Sequence, residues 1–364
     1  QAPQPPVSRA WALAQLVLAQ IFLHSSMAGM RLAAPLLALR DGHSAFTVGL
    51  LLALFSLSQV FLAIPAGRYA DRHGLRKPMR LGVSAAMLGA GLAVAVPQLL
   101  MLCVSALLMG GATGVAIVAL QRHVGRAAQD PTELKQVFSW LAIGPAISNF
   151  LGPVTAGLLI DHAGVWVGGA AGDTNGFRAA FLVMALMPLL TWFWVRHTQE
   201  LPPVQQSAGS TQAKVWDLLR EPQMRRLLLV NWLLSSCWDV HTFLVPVLGH
   251  ERGLSATVIG SVLGAFALAA TAIRMAMPWL ASHLREAVVI GSAMVATALL
   301  FAVYPLVHAA WAMGALSILL GFALMIGGVR RAFGIGQQDP AAWMWGHAAI
   351  LFAACRLAEW PIPQ

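Results

Sequence analysis

The chain has 364 residues, of which 58% are hydrophobic and only 10% are charged. Soluble domains carry about 25% charged residues, so this composition excludes an ordinary soluble core and indicates a membrane protein. The formal net charge of +9 does not indicate nucleic-acid binding, because the basic residues are dispersed over separate segments.

Apolar runs of about 20 residues, the length at which a helix crosses a bilayer, recur along the chain. Ten such runs lie near residues 11–38, 45–66, 79–97, 99–120, 136–160, 177–195, 227–249, 255–280, 287–305 and 307–328. An eleventh run, near 341–355, is short and contains His347. The sequence therefore predicts an all-α, polytopic membrane protein with ten or eleven spans.

Basic residues are concentrated in alternate connections between the predicted spans. The connections after odd-numbered spans hold only Arg40, Arg178 and Arg252, whereas the others hold most of the Lys and Arg residues. Since cytoplasmic loops are enriched in Lys and Arg, we expect the N-terminus in the cytoplasm and the protein in the inner membrane of the cell. On this interpretation Arg122 and Arg126 are topology anchors.

A polar stretch rich in Pro, Gln and Ser divides the predicted spans into two groups. It predicts a six-helix bundle over residues 1–198, a cytoplasmic linker over 199–224 and a second bundle over 225–364. An internal repeat supports this division, because residues 211 positions apart match without gaps across spans one to four. The matched pairs include Gly42 with Gly253, Ser44 with Ser255, Phe55 with Phe266, and Gly110 with Gly321.

The repeat also predicts that the second bundle stops short of its last two spans. Residue 152 would correspond to 363, so the chain ends within the equivalent of span five. The tail from Val329 onward does not resemble the expected continuation. A truncated chain, a frame-shifted end and a fragment all fit this pattern.

Polar and charged residues inside the spans mark candidate functional positions. A charge within a span costs about 2.5 to 3.5 kcal/mol on insertion scales, so it needs a partner or a cavity. Gln20, His24 and Arg31 share one face of span one. Asn231 and Asp239 share one face of span seven, with His241 beside them, and Arg274 lies in span eight. The alternatives are a snorkelling Arg31 and structural ion pairs near helix ends.

The basic loop between spans two and three is the most specific motif. It runs Gly67-Arg68-Tyr69-Ala70-Asp71-Arg72-His73-Gly74-Leu75-Arg76-Lys77. Gly74 permits a turn with positive φ, and Asp71 is expected to cap the following helix and to pair with nearby arginines. This loop resembles the signature of the major facilitator superfamily of secondary transporters. A second signature is similar to that of facilitator antiporters: Gly152-Pro153, followed by Ala156-Gly157, in span five.

The resemblance implies two pseudo-symmetric halves and a central path lined by spans one and seven. It places Gln20, His24, Arg31, Asn231, Asp239 and Arg274 on that path. Asp239 would carry a proton or bind a cationic group, with Arg31 or Arg274 as counter-charge. Asp71 and its loop, Gly67, Arg72, Gly74, Arg76 and Lys77, would act as a gate, and Gly152, Pro153 and Gly157 as close helix-packing positions. Position 106, where the family carries an arginine, is Ala106.

The function implied is secondary transport of a small solute by alternating access, with proton-coupled efflux favoured. The sequence does not identify the transported substrate. There is no phosphate-binding loop, nucleophile elbow or metal-ligand spacing among Cys103, Cys237 and Cys355, so we expect no enzymatic activity, cofactor or metal. The expected partners are a small molecule, protons and lipid, with no nucleic acid. A transport-incompetent relic and a membrane partner protein remain alternatives.

Overall fold

The fold is built from long α-helices. The computed structural model describes residues 6–127, 130, 133, 137–138, 140–201, 222–280 and 286–332, and none of these is in a β-strand. The helices are α1 (Pro6–Arg40), α2 (Ala45–His73), α3 (Arg76–Ala95), α4 (Leu99–Ala127), α5 (Ile143–Trp166), α6 (Thr174–Val195), α7 (Pro222–Glu251), α8 (Ala256–Leu280), α9 (Glu286–Val303) and α10 (Ala310–Ala332). A short 3-10 helix, Tyr304–Leu306, follows α9.

Each of the ten predicted spans corresponds to one of these helices. Within the described residues, seven helices, α1 to α6 and α8, are long and apolar enough to cross a membrane. Helix α7 has 30 residues, which include Asn231, Asp239 and His241. In the described part of the chain, two shorter apolar stretches follow: Val295–Leu306, which runs from α9 into the 3-10 helix, and Ala310–Met325 in α10. The eleventh predicted run, 341–355, lies outside the described residues.

Helix α2 extends beyond its predicted end. The sequence suggested that the span finishes near Gly67, but the helix continues to His73. A Cβ atom at Gly67 would lie 3.9 Å from the Val118 side chain, which is ordinary contact, so this glycine neither ends the helix nor permits an unusually close approach. The first residues of the signature loop are therefore the last two turns of α2.

The turns that join α1 to α2 and α7 to α8 are the same structure. Gly42 and Gly253 have positive φ values of 84° and 65°. The amide of Gly42 donates to the Leu39 carbonyl and the amide of Gly253 donates to the His250 carbonyl, each at a distance of 3.0 Å. Because L-residues rarely adopt positive φ, glycine is needed at both positions. After each turn a serine caps the next helix. The Ser44 hydroxyl accepts from the Thr47 amide and the Ser255 hydroxyl accepts from the Val258 amide, each at 3.3 Å.

A second contact also recurs at the same offset. A Cβ atom at Gly110 of α4 would collide with the Phe55 carbonyl oxygen of α2, and one at Gly321 of α10 would lie 2.7 Å from the Phe266 carbonyl oxygen of α8. Both phenylalanine side chains are fully buried. The second and fourth helices of each half therefore approach through a glycine, as the internal repeat predicts.

The chain divides into two compact units. One comprises Gln1–Gln205 with Gly249–Gly264, and the other comprises Gln206–Leu248 with Ala265–Gln364. In the first unit the deeply buried helix α1 receives hydrogen bonds from its neighbours: Ser148 of α5 donates to the Ile21 carbonyl at 3.0 Å, and Thr191 of α6 donates to the Ala19 carbonyl at 2.8 Å. The predicted domain limits stay predictions, and linker residues 202–221 lie outside the described residues.

The first unit also includes the start of α8. The carboxylate of Asp161, near the end of α5, accepts from the amides of Ala256 at 3.1 Å and Thr257 at 2.7 Å. These amides open α8 and have no partner within their own helix, so the carboxylate satisfies them and complements the positive end of the helix dipole. In the second unit, Cys237 packs with Phe266, Phe301, Leu320 and Leu324 in an apolar core.

Candidate functional site

The signature loop is a tight turn in which glycine is required for two reasons. Helix α2 ends at His73, and Gly74 adopts a φ of 73° before α3 begins at Arg76. The Gly74 amide donates to the Ala70 carbonyl at 3.0 Å. A Cβ atom on Gly74 would also collide with the carboxylate of Glu200. The predicted positive φ at Gly74 is confirmed.

Glu200, rather than Asp71, holds the start of α3. Its carboxylate accepts from the amides of Leu75 at 2.9 Å and Arg76 at 2.7 Å. The Arg76 guanidinium in turn donates to the Thr198 carbonyl, at 3.0 Å from Nε and 2.6 Å from Nη2. The prediction that Asp71 caps this helix is wrong, because α2 continues past Asp71 and leaves it inside a helix.

Asp71 forms an ion pair with a helix distant in sequence. Its carboxylate accepts from Nε of Arg122, near the cytoplasmic end predicted for α4. Arg122 is largely buried and Asp71 is half exposed, whereas Arg72 and Lys77 are exposed. The pairing of Asp71 with an arginine was predicted, but Arg122 was interpreted only as a topology anchor. The ion pair ties α2 to α4.

The polar face of α1 contacts α5. Gln20 is 6% exposed, and a Cβ atom at Gly144 of α5 would lie 3.1 Å from its side-chain oxygen. Nε2 of His24 lies 3.4 Å from Nδ2 of Asn149, which also donates to the Pro145 carbonyl at 2.8 Å. The sequence did not identify Asn149, although it lies between the two Gly-Pro pairs of α5. Glycine and asparagine therefore let the α1 polar groups fit against this helix.

A small cavity lies beside the same polar groups. Its volume is about 10 Å³, on the order of the space that one water needs. Its lining comes from α1, α3 and α4: Gln20, Leu23, His24, Met79, Thr113, Ala116, Ile117 and Leu120. Arg31, two turns farther along α1, is half-buried. The structure thus brings two of the three predicted polar residues of α1 to one cavity within the first unit.

The predicted polar residues of α7 and α8 are placed as follows. Asp239 is half-buried, and its carbonyl accepts from the Thr242 hydroxyl at 2.9 Å. Arg274 is exposed on α8 and its guanidinium lies 3.8 Å from the sulfur of Met325 on α10. The side chain of Asn231 lies outside the described residues. The role of Asp239 as an ionisable centre stays a prediction.

A buried polar cluster in the second unit was not predicted. Nε2 of His241 lies 3.0 Å from the Ser317 hydroxyl, which lies 2.8 Å from the Tyr304 hydroxyl. All three residues are fully buried. The His241 ring stacks on Phe266 with 4.0 Å between ring centroids. Sequence reasoning noted His241 only as a neighbour of Asp239, because nothing local indicates which helices supply its partners.

The small residues of α5 lie at close helix contacts. A Cβ atom at Gly152 would lie 2.7 Å from the backbone nitrogen of Gly29 on α1. One at Gly157 would lie 3.0 Å from the Cα atom of Thr257 at the start of α8. Pro153 lies inside the helix between these two contacts. Larger side chains would separate the helices, as expected for membrane helices that pack through small residues.

Comparison with known proteins gives consistent results. The sequence matches the profile of the Major Facilitator Superfamily over residues 16–332. It is 32% identical over 236 residues to multidrug resistance protein D of Escherichia coli K12, covering 63% of this chain and 51% of that protein. It is 30% identical over 157 residues to the class B tetracycline resistance protein of Escherichia coli, covering 42% of this chain and 35% of that protein.

Solved structures of transporters share the fold. An inward-facing bacterial homologue of the human lysosomal transporter Spinster aligns with a TM-score of 0.73 and 15% identity, covering 96% of this chain and 80% of that structure. The nucleoside transporter NupG (D323A mutant) aligns with a TM-score of 0.67 and 14% identity, covering 95% of this chain and 89% of that structure.

The matched region spans about half the length of multidrug resistance protein D and about a third of the length of the class B tetracycline resistance protein. The family match is much wider, since it extends over most of the chain and includes the signature loop, the α5 glycines and both copies of the repeat. This multi-pass, all-α membrane protein belongs to the major facilitator superfamily, a family of membrane transporters.

Proposed function

We propose that this protein is a secondary active transporter that exports a small solute in exchange for protons by alternating access. The observation that carries the proposal is the family match over residues 16–332. Two curated relatives are named as tetracycline and multidrug resistance proteins, which favours export of drug-like compounds over uptake of a nutrient. The abundance of basic residues in alternate connections supports an inner-membrane location with a cytoplasmic N-terminus.

The proposed path uses the polar faces of α1 and α7. Gln20 and His24 lie in an otherwise apolar bundle, and such groups need a partner, a cavity or a function. Asp239, half-buried on α7, would exchange a proton or bind a cationic group. Arg31, Asn231 and Arg274 complete the proposed path, with Arg31 or Arg274 as the alternating counter-charge.

The proposed gate is the loop between α2 and α3. Asp71 pairs with Arg122, and Glu200 holds the first amides of α3, so the loop has two electrostatic attachments. Attachments of this kind form and break between discrete arrangements, as alternating access requires. Gly67, Arg72, Arg76 and Lys77 belong to the same gate.

Transport by the purified protein in proteoliposomes tests this proposal. With an imposed proton gradient, the wild type should accumulate at least one member of a panel that includes tetracycline and hydrophobic cations. Asp239→Asn should lower proton-driven accumulation about tenfold or more, because an amide can neither carry a proton nor balance a positive charge.

The matched control is Glu251→Gln, which neutralises an exposed carboxylate at the end of the same helix and should leave transport within about twofold of the wild type. Accumulation by Asp239→Asn at the wild-type level would remove Asp239 from the mechanism. A folded wild type that moves no member of the panel, with or without the gradient, would contradict the proposal as a whole.

A further inference from the structure

The buried cluster of the second unit contains an imidazole that the proposed mechanism does not yet use. We propose that His241 is a proton-binding residue of this unit and that its protonation favours a conformation in which the cluster opens to water. This inference deepens the proposed proton-coupled transport and rests on it. Geometry, the internal repeat and the surrounding aromatic rings each support it.

The hydrogen-bond geometry leaves one nitrogen of His241 available. Nε2 is engaged with the Ser317 hydroxyl at 3.0 Å, and that hydroxyl is engaged with the Tyr304 hydroxyl at 2.8 Å. Nδ1 is buried and has no hydrogen-bond partner among the described residues. A neutral imidazole has one donor and one acceptor nitrogen, so in either tautomer one capacity is unmet. When Nε2–H donates to Ser317, the free position is the Nδ1 lone pair, where a proton binds.

The fold does not need polar groups at these positions. The residues 211 positions earlier, Met30, Ala93 and Ala106, are apolar and fully buried in the first unit. The glycine contacts between the second and fourth helices are nevertheless the same in the two halves. Packing therefore does not account for His241, Ser317 and Tyr304. A buried ionisable residue within a membrane helix is expected to have a function.

The surroundings of His241 suit a neutral ring better than a charged one. Phe266 of α8 stacks on it with an interplanar angle of 29°, and Tyr304 lies edge-on with 5.8 Å between ring centroids. Tyr304 is the titratable side chain that faces it from the neighbouring elements. Cys237, one turn earlier on α7, lies in the apolar core. Aromatic faces attract a cation weakly, so they stabilise an imidazolium only in part.

Among the described residues, Asp239 on α7 and Arg274 on α8 are the charged residues closest along the chain to His241 and Phe266. Asp239 is two positions earlier on α7, which places it about 200° around the helix. Arg274 is two turns beyond Phe266 on α8 and contacts Met325. When a hydronium ion gives its proton to Nδ1 and leaves as water, the ring gains one positive charge in apolar surroundings. Protonation must therefore favour conformations in which the ring meets water, and release of the proton must favour the closed cluster.

The first test needs no transported solute, because Cys237 reports opening of the cluster. Its side chain is fully buried, and it lies one helical turn from His241. In a Cys103→Ser, Cys355→Ser background, alkylation of Cys237 by N-ethylmaleimide is measured in proteoliposomes at about pH 6 and about pH 8, on either side of the ordinary range of histidine. The ratio of the rate with His241 to the rate with His241→Gln removes the pH dependence of the thiol itself.

We expect this ratio to be about fourfold higher at the lower pH, because an imidazole that meets water with the ordinary pKa of about 6.5 is mostly protonated at pH 6 and almost wholly neutral at pH 8. An equal ratio at the two pH values would overturn the proposal. Tyr304→Phe is the matched control, because it perturbs the same cluster and keeps the imidazole. It should retain the pH response, and a Tyr304→Phe protein that loses the response as fully as His241→Gln would show that packing is responsible and would also overturn the proposal.

The second test separates proton coupling from solute binding. For a compound that the wild type transports, His241→Gln should lose proton-driven accumulation about tenfold or more while solute exchange stays within about twofold. Equal loss of both activities, or retention of proton-driven accumulation, would contradict a proton-binding role. If the wild type transports no compound of the panel, the proposed function fails, while the alkylation result still decides the role of His241.

Discussion

The two halves of this protein share their backbone contacts and differ in their buried polar groups. The turns at Gly42 and Gly253, with their matching hydrogen bonds, are the same structure. In each half a glycine of the fourth helix meets a phenylalanine carbonyl of the second. The polar residues do not correspond: the His241 cluster has apolar counterparts in the first half, and His24 corresponds to Ser235.

This difference shows which constraints act on each kind of position. Where backbones approach closely or φ is positive, only glycine fits, so both copies retain it. Polar side chains are not fixed by those contacts, so they are free to diverge with function. The loop after the second helix follows the same rule: Asp71 has Ser282 as its counterpart, although Ser282 lies outside the described residues.

The largest loss of stability is expected from substitution of the glycines that occupy equivalent positions in the two halves, Gly110 and Gly321. Gly110→Ala and Gly321→Ala should each destabilise the protein by about 1 to 3 kcal/mol, because the added methyl group meets a backbone carbonyl that cannot move aside. Thermal unfolding in detergent measures the loss. The controls are Gly91→Ala and Gly314→Ala, where a Cβ meets no atom within 4 Å and the helix should gain about 0.5 to 1 kcal/mol. Destabilisation at only one of the paired glycines would break the proposed equivalence.

An intermediate effect should be confined to the first half. Glu200→Ala removes the carboxylate that accepts from two amides at the start of α3, and hydrogen bonds to charged groups contribute about 1.5 to 3 kcal/mol. Partial exposure and access of water to the amides bring the expected loss of stability to about 1 to 2 kcal/mol. Thermal unfolding of Glu200→Ala beside Glu251→Ala, which removes an exposed carboxylate, isolates the contribution of the contact. Equal stability of these two variants would show that Glu200 does not hold α3.

The smallest effect tests whether the two helix caps are equivalent. Ser44→Ala and Ser255→Ala should each cost about 1 kcal/mol, because each removes the hydroxyl that caps a helix. Replacement of either serine by glycine should cost only a few tenths of a kcal/mol. The same unfolding measurement applies, and losses that differ between the two sites by more than about 1 kcal/mol would contradict their equivalence.

Most of the helical framework could be predicted from the sequence, because length, hydropathy and glycine positions are local signals. The ten runs correspond to α1 through α10, and Gly74 has the positive φ that its position in the loop required. The end of α2 was misjudged because Gly67 resembles a terminator, whereas its neighbours continue the helix.

The partners of polar residues could not be predicted in the same way. Arg122 lies 51 positions from Asp71, and Glu200 lies 125 from Leu75. In the sequence, membrane topology is enough to explain Arg122 at the end of a span, and solvent exposure is enough to explain Glu200 in a polar stretch. Neither residue therefore signals a partner in the loop. Tertiary packing brings them to the loop. The same holds for His241 and Ser317, which are 76 positions apart on different helices.

Glu200 and Thr198 stand at the start of the segment that leaves α6 toward α7. A displacement of these two residues therefore reaches the α2–α3 loop directly, through two hydrogen bonds to the carboxylate and two from the Arg76 guanidinium, before any helix has to bend.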